Sequence, residues 1–231
     1  MRKASRFSLL FTVLILGLAL AGTAQQKPTL KWTFEAESNL YAAPLVADVN
    51  PHPGLEIFIS DSEARTLRCI GSDGTEIWNF RPAWTKRQTS APAISLKTNQ
   101  RKPTLAVVNS DGLLYAIDAA NGTELWHKKL GGMEWCIPVW VDLNGDNYDE
   151  LLVLSENGGL LALDASGTPL WTRDNTPDGE PIRVESPFTV ADTDSDNIPE
   201  ILAVASGGLL CLDSSGTVRW TYQPSHTIIG A

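Results

Sequence analysis

Two short acidic stretches of this sequence carry the residue types and the spacing that bind a metal ion. Their oxygen-bearing side chains lie at the first, third, fifth and ninth positions: Asp142, Asn144, Asp146 and Glu150, then Asp192, Asp194, Asp196 and Glu200. The backbone carbonyls of Tyr148 and Ile198 are available at the seventh position. Calcium takes about six to eight oxygen ligands from a tightly curled loop. The spacing therefore predicts Ca²⁺ binding at both stretches.

Two other interpretations of the same residues stay open, a solvated polar turn between strands and a pair of catalytic acids. The catalytic interpretation is the weakest, because the sequence brings no further catalytic group to these stretches. An EF-hand is excluded, because that loop ends on a Glu at position twelve, where this chain has Val153 and Ala203.

Two further copies of the stretch have lost most of these oxygen ligands. The stretch 48–56 keeps Asp48, Asn50 and Glu56, but His52 takes the fifth position, and we expect little or no metal there. The stretch SLKTNQRKPT (95–104) has Lys97 and Thr104 where acids belong, and we expect it to be metal-free.

The elements that must position these stretches come from a repeat of about 47 residues. Four segments end alike, GTEIW (74–78), GTELW (122–126), GTPLW (167–171) and GTVRW (216–220), and Trp32 lies one period before the first. Each repeat contains four short strand-like runs separated by turn residues. Four strands repeated at this interval are typical of a β-propeller blade. The sequence predicts an all-β propeller of four-stranded antiparallel blades, with about four blades present as part of a larger six- to eight-bladed ring.

The repeat sets the predicted boundaries. We expect blades at about 40–82, 88–130, 134–174 and 184–224, with 28–36 as an outer strand that would fasten a final blade. The glycine of each GTxxW segment is expected to need a positive φ in its hairpin turn, and the Trp to wedge between neighbouring blades. Four blades do not close a ring of the usual size, so we expect a fragment or a half-ring that associates with another chain.

Two family resemblances follow from these segments. GLLYAIDAANGTELW (112–126) resembles the PQQ-like repeat of quinoprotein-type propellers, whereas IPVWVDLNGDNYDELLVLS (137–155) and FTVADTDSDNIPEILAVAS (188–206) resemble the FG-GAP or VCBS repeats of integrin-α-like propellers. The chain is thus similar, over residues 32 to 222, to secreted bacterial propeller proteins that combine both features. The resemblance implies the fold, and much less a function, because such blades occur in enzymes, adhesins and scaffolds.

The integrin-like resemblance implies calcium ligands at the positions given above. Its sixth position is usually Gly, whereas this chain has Asn147 and Asn197, and Asn is the residue that next best tolerates a left-handed backbone. The quinoprotein resemblance implies PQQ, but those enzymes are much longer eight-bladed propellers with vicinal Cys residues, which this chain lacks. PQQ is therefore not expected as a cofactor.

The N-terminus has the layout of an export signal. Residues 1–24 combine a basic start with a fourteen-residue apolar run, FSLLFTVLILGLAL, and small residues for cleavage after Ala24. A membrane anchor is the alternative, but a spanning helix needs about 20 apolar residues. We expect cleavage, a propeller over 25–231, and a secreted, periplasmic or extracellular protein without stable membrane insertion. The formal net charge of −9 disfavours binding to nucleic acid.

The remaining residues favour binding over catalysis. Cys69, Cys136 and Cys211 are odd in number and widely spaced, so they are expected to be buried thiols, although a disulfide between two of them stays open. No catalytic motif is present. The connections between blades hold exposed aromatic and cationic candidates for a ligand face: Trp84, Arg87, Trp135 and Arg183.

The sequence therefore predicts an exported, non-enzymatic, calcium-binding scaffold for a protein or carbohydrate ligand. The alternatives are a fragment of a PQQ-dependent dehydrogenase and a propeller module of a larger polysaccharide-acting enzyme.

Overall fold

The computed structural model describes residues 29–37, 39–49, 54–61, 64–81, 90–100, 102–130 and 137–224. Every secondary-structure element assigned within these ranges is a β-strand, which confirms the all-β prediction. The same ranges contain no helix of the length and hydropathy that crossing a membrane requires. The predicted signal peptide, Cys136 and His52 lie outside the described residues.

The strands form four separate antiparallel sheets of four strands each, and each sheet follows chain order. The first two blades contain β1 (Leu45–Ala47), β2 (Glu56–Asp61), β3 (Thr66–Ile70) and β4 (Glu76–Phe80), then β5 (Ala93–Ser95), β6 (Thr104–Val108), β7 (Leu113–Asp118) and β8 (Glu124–Lys129). The last two contain β9 (Val139–Val141), β10 (Glu150–Leu154), β11 (Leu160–Leu163) and β12 (Pro169–Arg173), then β13 (Thr189–Ala191), β14 (Glu200–Ala205), β15 (Gly208–Leu212) and β16 (Val218–Tyr222). Four such sheets confirm the predicted blade architecture.

The hydrophobic core lies between neighbouring sheets and not within one of them. Phe58 and Leu67 of the first blade pack with Leu105 and Ile117 of the second. A second cluster joins the second, third and fourth blades, and its member Leu163 is fully buried. The middle strands of each blade are buried on both faces, which explains their continuous apolar runs and the absence of strict alternation.

A tryptophan lying on a glycine joins each blade to the next. The indole N–H of Trp78 donates to the carbonyl of Ala119 at 3.1 Å, and a Cβ added at Gly122 would lie 2.7 Å from the same ring. Trp126 and Trp171 repeat this contact on Gly167 and Gly216. These turn glycines have φ values near +80°, where an L side chain is strained. The expected positive φ and the expected wedge of the Trp are both confirmed.

Each of these Trp residues also faces a small residue on the neighbouring strand of its own blade. Trp126 and Trp171 stand opposite Ala116 and Ala162, and the ladder shifts by one residue immediately after each alanine. Trp78 and Trp220 stand opposite Cys69 and Cys211 at the equivalent positions. Both cysteines are fully buried free thiols, so they replace alanine beside a large ring.

Residues 29–36 of the predicted outer strand are described, and no strand is assigned to them. The predicted strand would pair with a final blade, whereas the four described sheets pair only within themselves, so the outer strand at 28–36 stays a prediction. Trp32 makes the same tryptophan–glycine contact with the first blade. Its indole N–H donates to the carbonyl of Ser72 at 2.9 Å, and its ring lies on Gly74.

We predict that Gly122→Ala destabilises the protein more than Gly179→Ala does. Both glycines have positive φ, at +73° and +86°, so each variant carries a backbone cost of about 1–2 kcal/mol. Only the Gly122 variant also pushes a methyl group into the ring of Trp78, which adds roughly 1–3 kcal/mol, since a Cβ at Gly179 meets nothing within 4 Å. Urea unfolding of both variants measures the difference in the free energy of unfolding. Equal losses would contradict a stabilising role for the contact between Trp78 and Gly122.

We predict that Cys69 and Cys211 do not react with a thiol reagent until the protein unfolds. Desolvation by burial, followed by the nearby Glu56 carboxylate, raises the pKa of the Cys69 thiol to about 12. At pH 8 only about one Cys69 in ten thousand is then a thiolate, the reactive form. A raised pKa in the folded state also means that Cys69 lowers stability as the pH rises from about 9 towards 12. Ellman titration of C136S checks this, and rapid reaction of either native thiol would contradict it.

Candidate metal-binding loops

The two acidic stretches are the loops that join the first strand of a blade to the second, β9 to β10 and β13 to β14. Asp142 organises the loop of the third blade. Its carboxylate accepts hydrogen bonds from the backbone N–H groups of Gly145, Asp146 and Asn147 at 2.7, 3.2 and 2.8 Å. Asp192 accepts the same three bonds from Ser195, Asp196 and Asn197 at 2.7, 3.2 and 3.0 Å. One local sequence pattern thus folds into the same loop twice.

The loops curl because two residues in each adopt the left-handed conformation. Asn147 and Asn197 both have φ of 68°, as the tolerance of Asn for this conformation predicts. The other residue is Gly145 in the third blade, with φ of 76°, and Ser195 in the fourth, with φ of 68°. Ser195 therefore carries a backbone strain that Gly145 avoids.

The glutamate at the ninth position accepts a hydrogen bond from the backbone near the start of each loop. Glu150 accepts the backbone N–H of Leu143 at 2.8 Å, and Glu200 accepts that of Thr193 at 2.8 Å. Glu56 does the same for Val49 at 2.9 Å in the first blade. All three glutamates are buried. Desolvation by burial raises the pKa of Glu150 despite the Leu143 hydrogen bond, and the carboxylates of Asp146, Asp142 and Asp149 add to the rise.

A compact group of carboxylates is present in the fourth blade. Within the described part of the chain, Asp192, Asp194 and Glu200 bring one carboxylate oxygen each within 4.8 Å of one another. One arginine already pairs with two of them. Arg219 Nη1 of β16 lies 2.6 Å from Asp194 Oδ2 and 2.9 Å from Glu200 Oε1. Its hydrogen bond lowers the pKa of Asp194, and the same bond raises that of Arg219.

Arg219 was not singled out from the sequence, although a signal was present. It belongs to GTVRW, and the other three copies of this segment have Ile77, Leu125 and Leu170 at the same position. A charged residue that replaces an aliphatic one in a repeat indicates that an oppositely charged side chain lies nearby in the fold. The partner is two strands away in the sheet, so the pairing could not be read from sequence distance.

The loops of the second, third and fourth blades differ in how well they suit calcium. The loop of the third blade offers hard oxygen donors, and no cationic side chain bonds to Asp142, Asp146 or Glu150 within the described ranges. In the fourth blade the guanidinium of Arg219 competes with a metal ion for two of the carboxylates. The third-blade loop therefore fits calcium better. The second-blade loop bonds instead to the third blade, because Ser95 Oγ of this loop donates to Asp149 Oδ2 of the third blade at 2.6 Å.

The structure describes one of the four predicted ligand-face residues. Arg183 is exposed and lines a polar cavity of ≈ 480 Å³ together with Glu156, Asn157 and Asp174. Asn157 Nδ2 donates to Asp174 Oδ2 at 2.8 Å, which fixes one wall of that cavity. Trp84, Arg87 and Trp135 lie outside the described residues. The clustering of all four on one face stays a prediction.

A family model of PQQ-like repeats accounts for this architecture. The model, described as outer membrane protein assembly factor BamB, matches residues 27–133 and 63–228. The two matches together span more than half of the chain. The chain belongs to this BamB-type repeat family.

Solved structures agree with the family on the fold. BamB from Moraxella catarrhalis superposes with a TM-score of 0.61 at 19% identity, covering 86% of this chain and 54% of that one. The V. cholerae biofilm matrix protein Bap1 gives 0.55 at 18% identity, covering 79% of this chain and 28% of that one. A europium-containing methanol dehydrogenase gives 0.58 at 13% identity, covering 84% and 44%. At these identities the likeness establishes the fold alone.

The BamB-type chain spans about half the length of the Moraxella structure that it matches. A search of curated proteins gives no match.

We predict that Arg219→Leu makes the fourth-blade loop responsive to calcium. Leucine stands at the equivalent position 170, so the change restores the usual residue of the repeat. Without metal, the variant should melt a few degrees lower, because the buried Glu200 carboxylate loses its cationic partner. Millimolar Ca²⁺ should recover more stability in the variant than in the parent. Calorimetry in EGTA and in Ca²⁺ measures this, with Arg183→Leu as the control. A variant whose calcium response is no larger than that of the control would contradict it.

Proposed function

We propose that this chain is an exported, non-enzymatic propeller that binds Ca²⁺ through its acidic loops and serves as a scaffold for a protein or carbohydrate ligand. The observation that carries the calcium part is the preformed loop 142–150, where Asp142 alone orders three backbone N–H groups. A loop already curled around its carboxylates loses little conformational entropy when a cation binds.

Family membership supports a role in interaction. The family's model is described as an outer membrane assembly factor, and one structural neighbour is titled a biofilm matrix protein. Both printed descriptions concern proteins that work in assemblies outside the cytoplasm. They support export of this chain, as does the signal-like sequence of residues 1–24. Self-association of an incomplete ring, and a carbohydrate in place of a protein ligand, belong to the same proposal.

The proposal also includes the hybrid character of the blades. The turn and Trp of each blade follow the PQQ-like pattern, whereas the loops 142–150 and 192–200 follow the FG-GAP or VCBS pattern. In the third blade the glycine turn joins β11 to β12, which contains Trp171, whereas the acidic loop joins β9 to β10. One blade can therefore carry both without conflict.

The alternative, part of a PQQ-dependent dehydrogenase, has support from the fold likeness to a methanol dehydrogenase. A fold is shared by many functions, so this likeness does not transfer the reaction. Purified protein supplied with PQQ and Ca²⁺ should show no alcohol-dependent dye reduction. Turnover above a protein-free control would overturn the non-enzymatic proposal.

We predict that calcium raises the melting temperature of the parent protein and that Asp142→Asn with Asp146→Asn removes most of the rise. A ligand present at about a hundred times its Kd adds about 2.7 kcal/mol to the folded state. Asn keeps the size of each side chain, so the loop's hydrogen bonds to Gly145 and Tyr148 can persist while two negative charges are lost. Differential scanning calorimetry with calcium against EGTA measures the shift.

Asp178→Asn is the matched control, because Asp178 is an exposed acid outside both loops. It should keep the full calcium effect. If the double variant keeps the effect as well, calcium binds elsewhere or only non-specifically, and the assignment of the third-blade loop fails.

A further inference from the structure

A polar cavity lies where the third blade connects to the fourth. Six residues line its volume of ≈ 480 Å³: Glu156, Asn157, Asp174, Asn175, Pro181 and Arg183. They come from the turn between β10 and β11 and from the connection between β12 and β13. Pockets of about 300–1,000 Å³ hold small molecules in proteins. The acidic loops contribute none of these residues, so the cavity is separate from the candidate metal site. We call it the blade 3–4 cavity.

One wall of the blade 3–4 cavity holds a carboxylate in a fixed position. Asp174 accepts hydrogen bonds from Ser155 Oγ and from Asn157 Nδ2, the second at 2.8 Å. Ser155 is buried, and its Oγ accepts the backbone N–H groups of Asn157 and Gly159 at 3.2 and 3.1 Å. Gly159 leaves room for the carboxylate, because a Cβ there would lie 2.8 Å from Asp174 Oδ1. The Asp174 carboxylate is therefore oriented before a ligand binds.

The repeat itself does not require a carboxylate at this position. The residue three positions after the Trp of each blade is, in chain order, Arg81, Lys129, Asp174 and Gln223. Two of these residues are cations and one is a neutral amide. Among the four blades, only the third therefore places an acid against its own β10–β11 turn. Since the other blades fold without this acid, the architecture does not explain it.

The connection that carries Arg183 is held by backbone hydrogen bonds on both sides of that residue. The N–H of Ile182 donates to the carbonyl of Asp174 at 2.7 Å. The N–H of Val184 donates to the carbonyl of Gly158, in the β10–β11 turn, at 2.9 Å. The backbone on which the guanidinium stands is thus fixed relative to the Asp174 wall, and little order has to be gained on binding.

The charged side chains of the cavity do not pair with one another. Within the described ranges, Arg183 forms no ion pair with Glu156 or Asp174, although all three line the same space. An anionic ligand would meet two carboxylates, and a cationic ligand would meet the guanidinium. A neutral ligand that both donates and accepts hydrogen bonds meets neither repulsion.

The shape of the lining groups favours a ligand with neighbouring hydroxyl groups. Every lining residue except Pro181 ends in a planar carboxylate, carboxamide or guanidinium group. A carboxylate accepts two hydrogen bonds side by side, a guanidinium donates two, and a carboxamide makes one of each kind. Two adjacent hydroxyl groups on a ring present the matching pair of donors or acceptors. A sugar ring carries several such pairs.

We propose that the blade 3–4 cavity binds a neutral sugar unit of a glycan through Asp174, Asn157 and Arg183. The proposal rests on the proposed function, which leaves a protein or a carbohydrate as the ligand, and it assigns the carbohydrate to this cavity. Hydrogen bonds supply most of the affinity, because the six described lining residues include no aromatic ring. The expected Kd for a single sugar unit is about 1–10 mM.

Nitrogen-15 NMR of the protein tests the proposal, because the side-chain amides of Asn157 and Asn175 report on the cavity directly. The probes are the methyl glycosides of glucose, galactose, mannose and N-acetylglucosamine. At least one of them should shift both amide signals until saturation. If none of the four does so, the proposal is overturned.

Two charged probes test the argument that the ligand is neutral. Acetate and methylammonium are small enough to enter the cavity, and each meets a side chain of its own sign. Both should shift the Asn157 and Asn175 amides less than the best glycoside does at the same concentration. A charged probe that binds more tightly than every glycoside would overturn the assignment of a sugar.

Two conservative variants locate the binding. Asp174→Asn keeps the size of the side chain and removes its charge, whereas Arg183→Lys keeps the charge and removes the planar pair of donors. Each should weaken glycoside binding about tenfold, the usual effect of losing a hydrogen bond to a charged group. Asp178→Asn is the matched control, because Asp178 is an exposed acid of the same connection outside the cavity lining, and it should bind like the parent.

The outcomes separate this proposal from the proposed function. A glycoside that binds both cavity variants as tightly as the parent occupies another surface, which overturns the cavity and leaves a carbohydrate-binding scaffold. Absence of glycoside binding overturns the cavity and leaves a protein as the scaffold's ligand. The calcium-dependent melting of the protein is measured independently of either result.

Discussion

The contact between a tryptophan and the glycine turn of the next blade is the interaction on which the rest of this structure depends. The indole needs a flat surface and an acceptor for its N–H, and a glycine turn with a free carbonyl supplies both. The small residues opposite each ring, including Cys69, follow from the same demand for space. Among the described residues the four sheets share no ladder hydrogen bonds, so these joints, the apolar clusters between the sheets and loop contacts such as that of Ser95 with Asp149 hold the blades together.

The acidic loops are built on this framework and depend on it for their shape. Glu150 and Glu200 stand at the first residue of a central strand, where burial and a backbone N–H fix the carboxylate. The exposed acids of each loop are then ordered by short hydrogen bonds to its own backbone. Two loops of nearly identical backbone nevertheless differ in electrostatics, because Arg219 supplies a fixed positive charge to one of them. The backbone conformation of the loop is repeated from the third blade to the fourth, whereas the positive charge beside it is not.

Much of this architecture could be predicted because it is local. A turn glycine, a left-handed Asn147 and a strand of apolar residues each follow from a few neighbouring positions, and the repeat shows each of them several times. The outer strand at 28–36 was predicted by analogy with a closed ring and stays a prediction, because a strand needs a neighbouring strand that its own residues do not supply. Trp32 was placed correctly in the repeat, since its contact needs only the turn at Gly74.

By itself the sequence determined the fold class, the repeat and the residues of the acidic loops, because periodic spacing and backbone preferences act over short distances. Only the tertiary structure decided which charges meet. The pairing of Arg219 with Glu200 crosses a sheet, that of Arg68 with Glu37 joins segments far apart in the chain, and the exposure of Trp220 depends on what lies beside its blade. Such contacts arise when distant parts of the chain pack together, and residue spacing does not encode them.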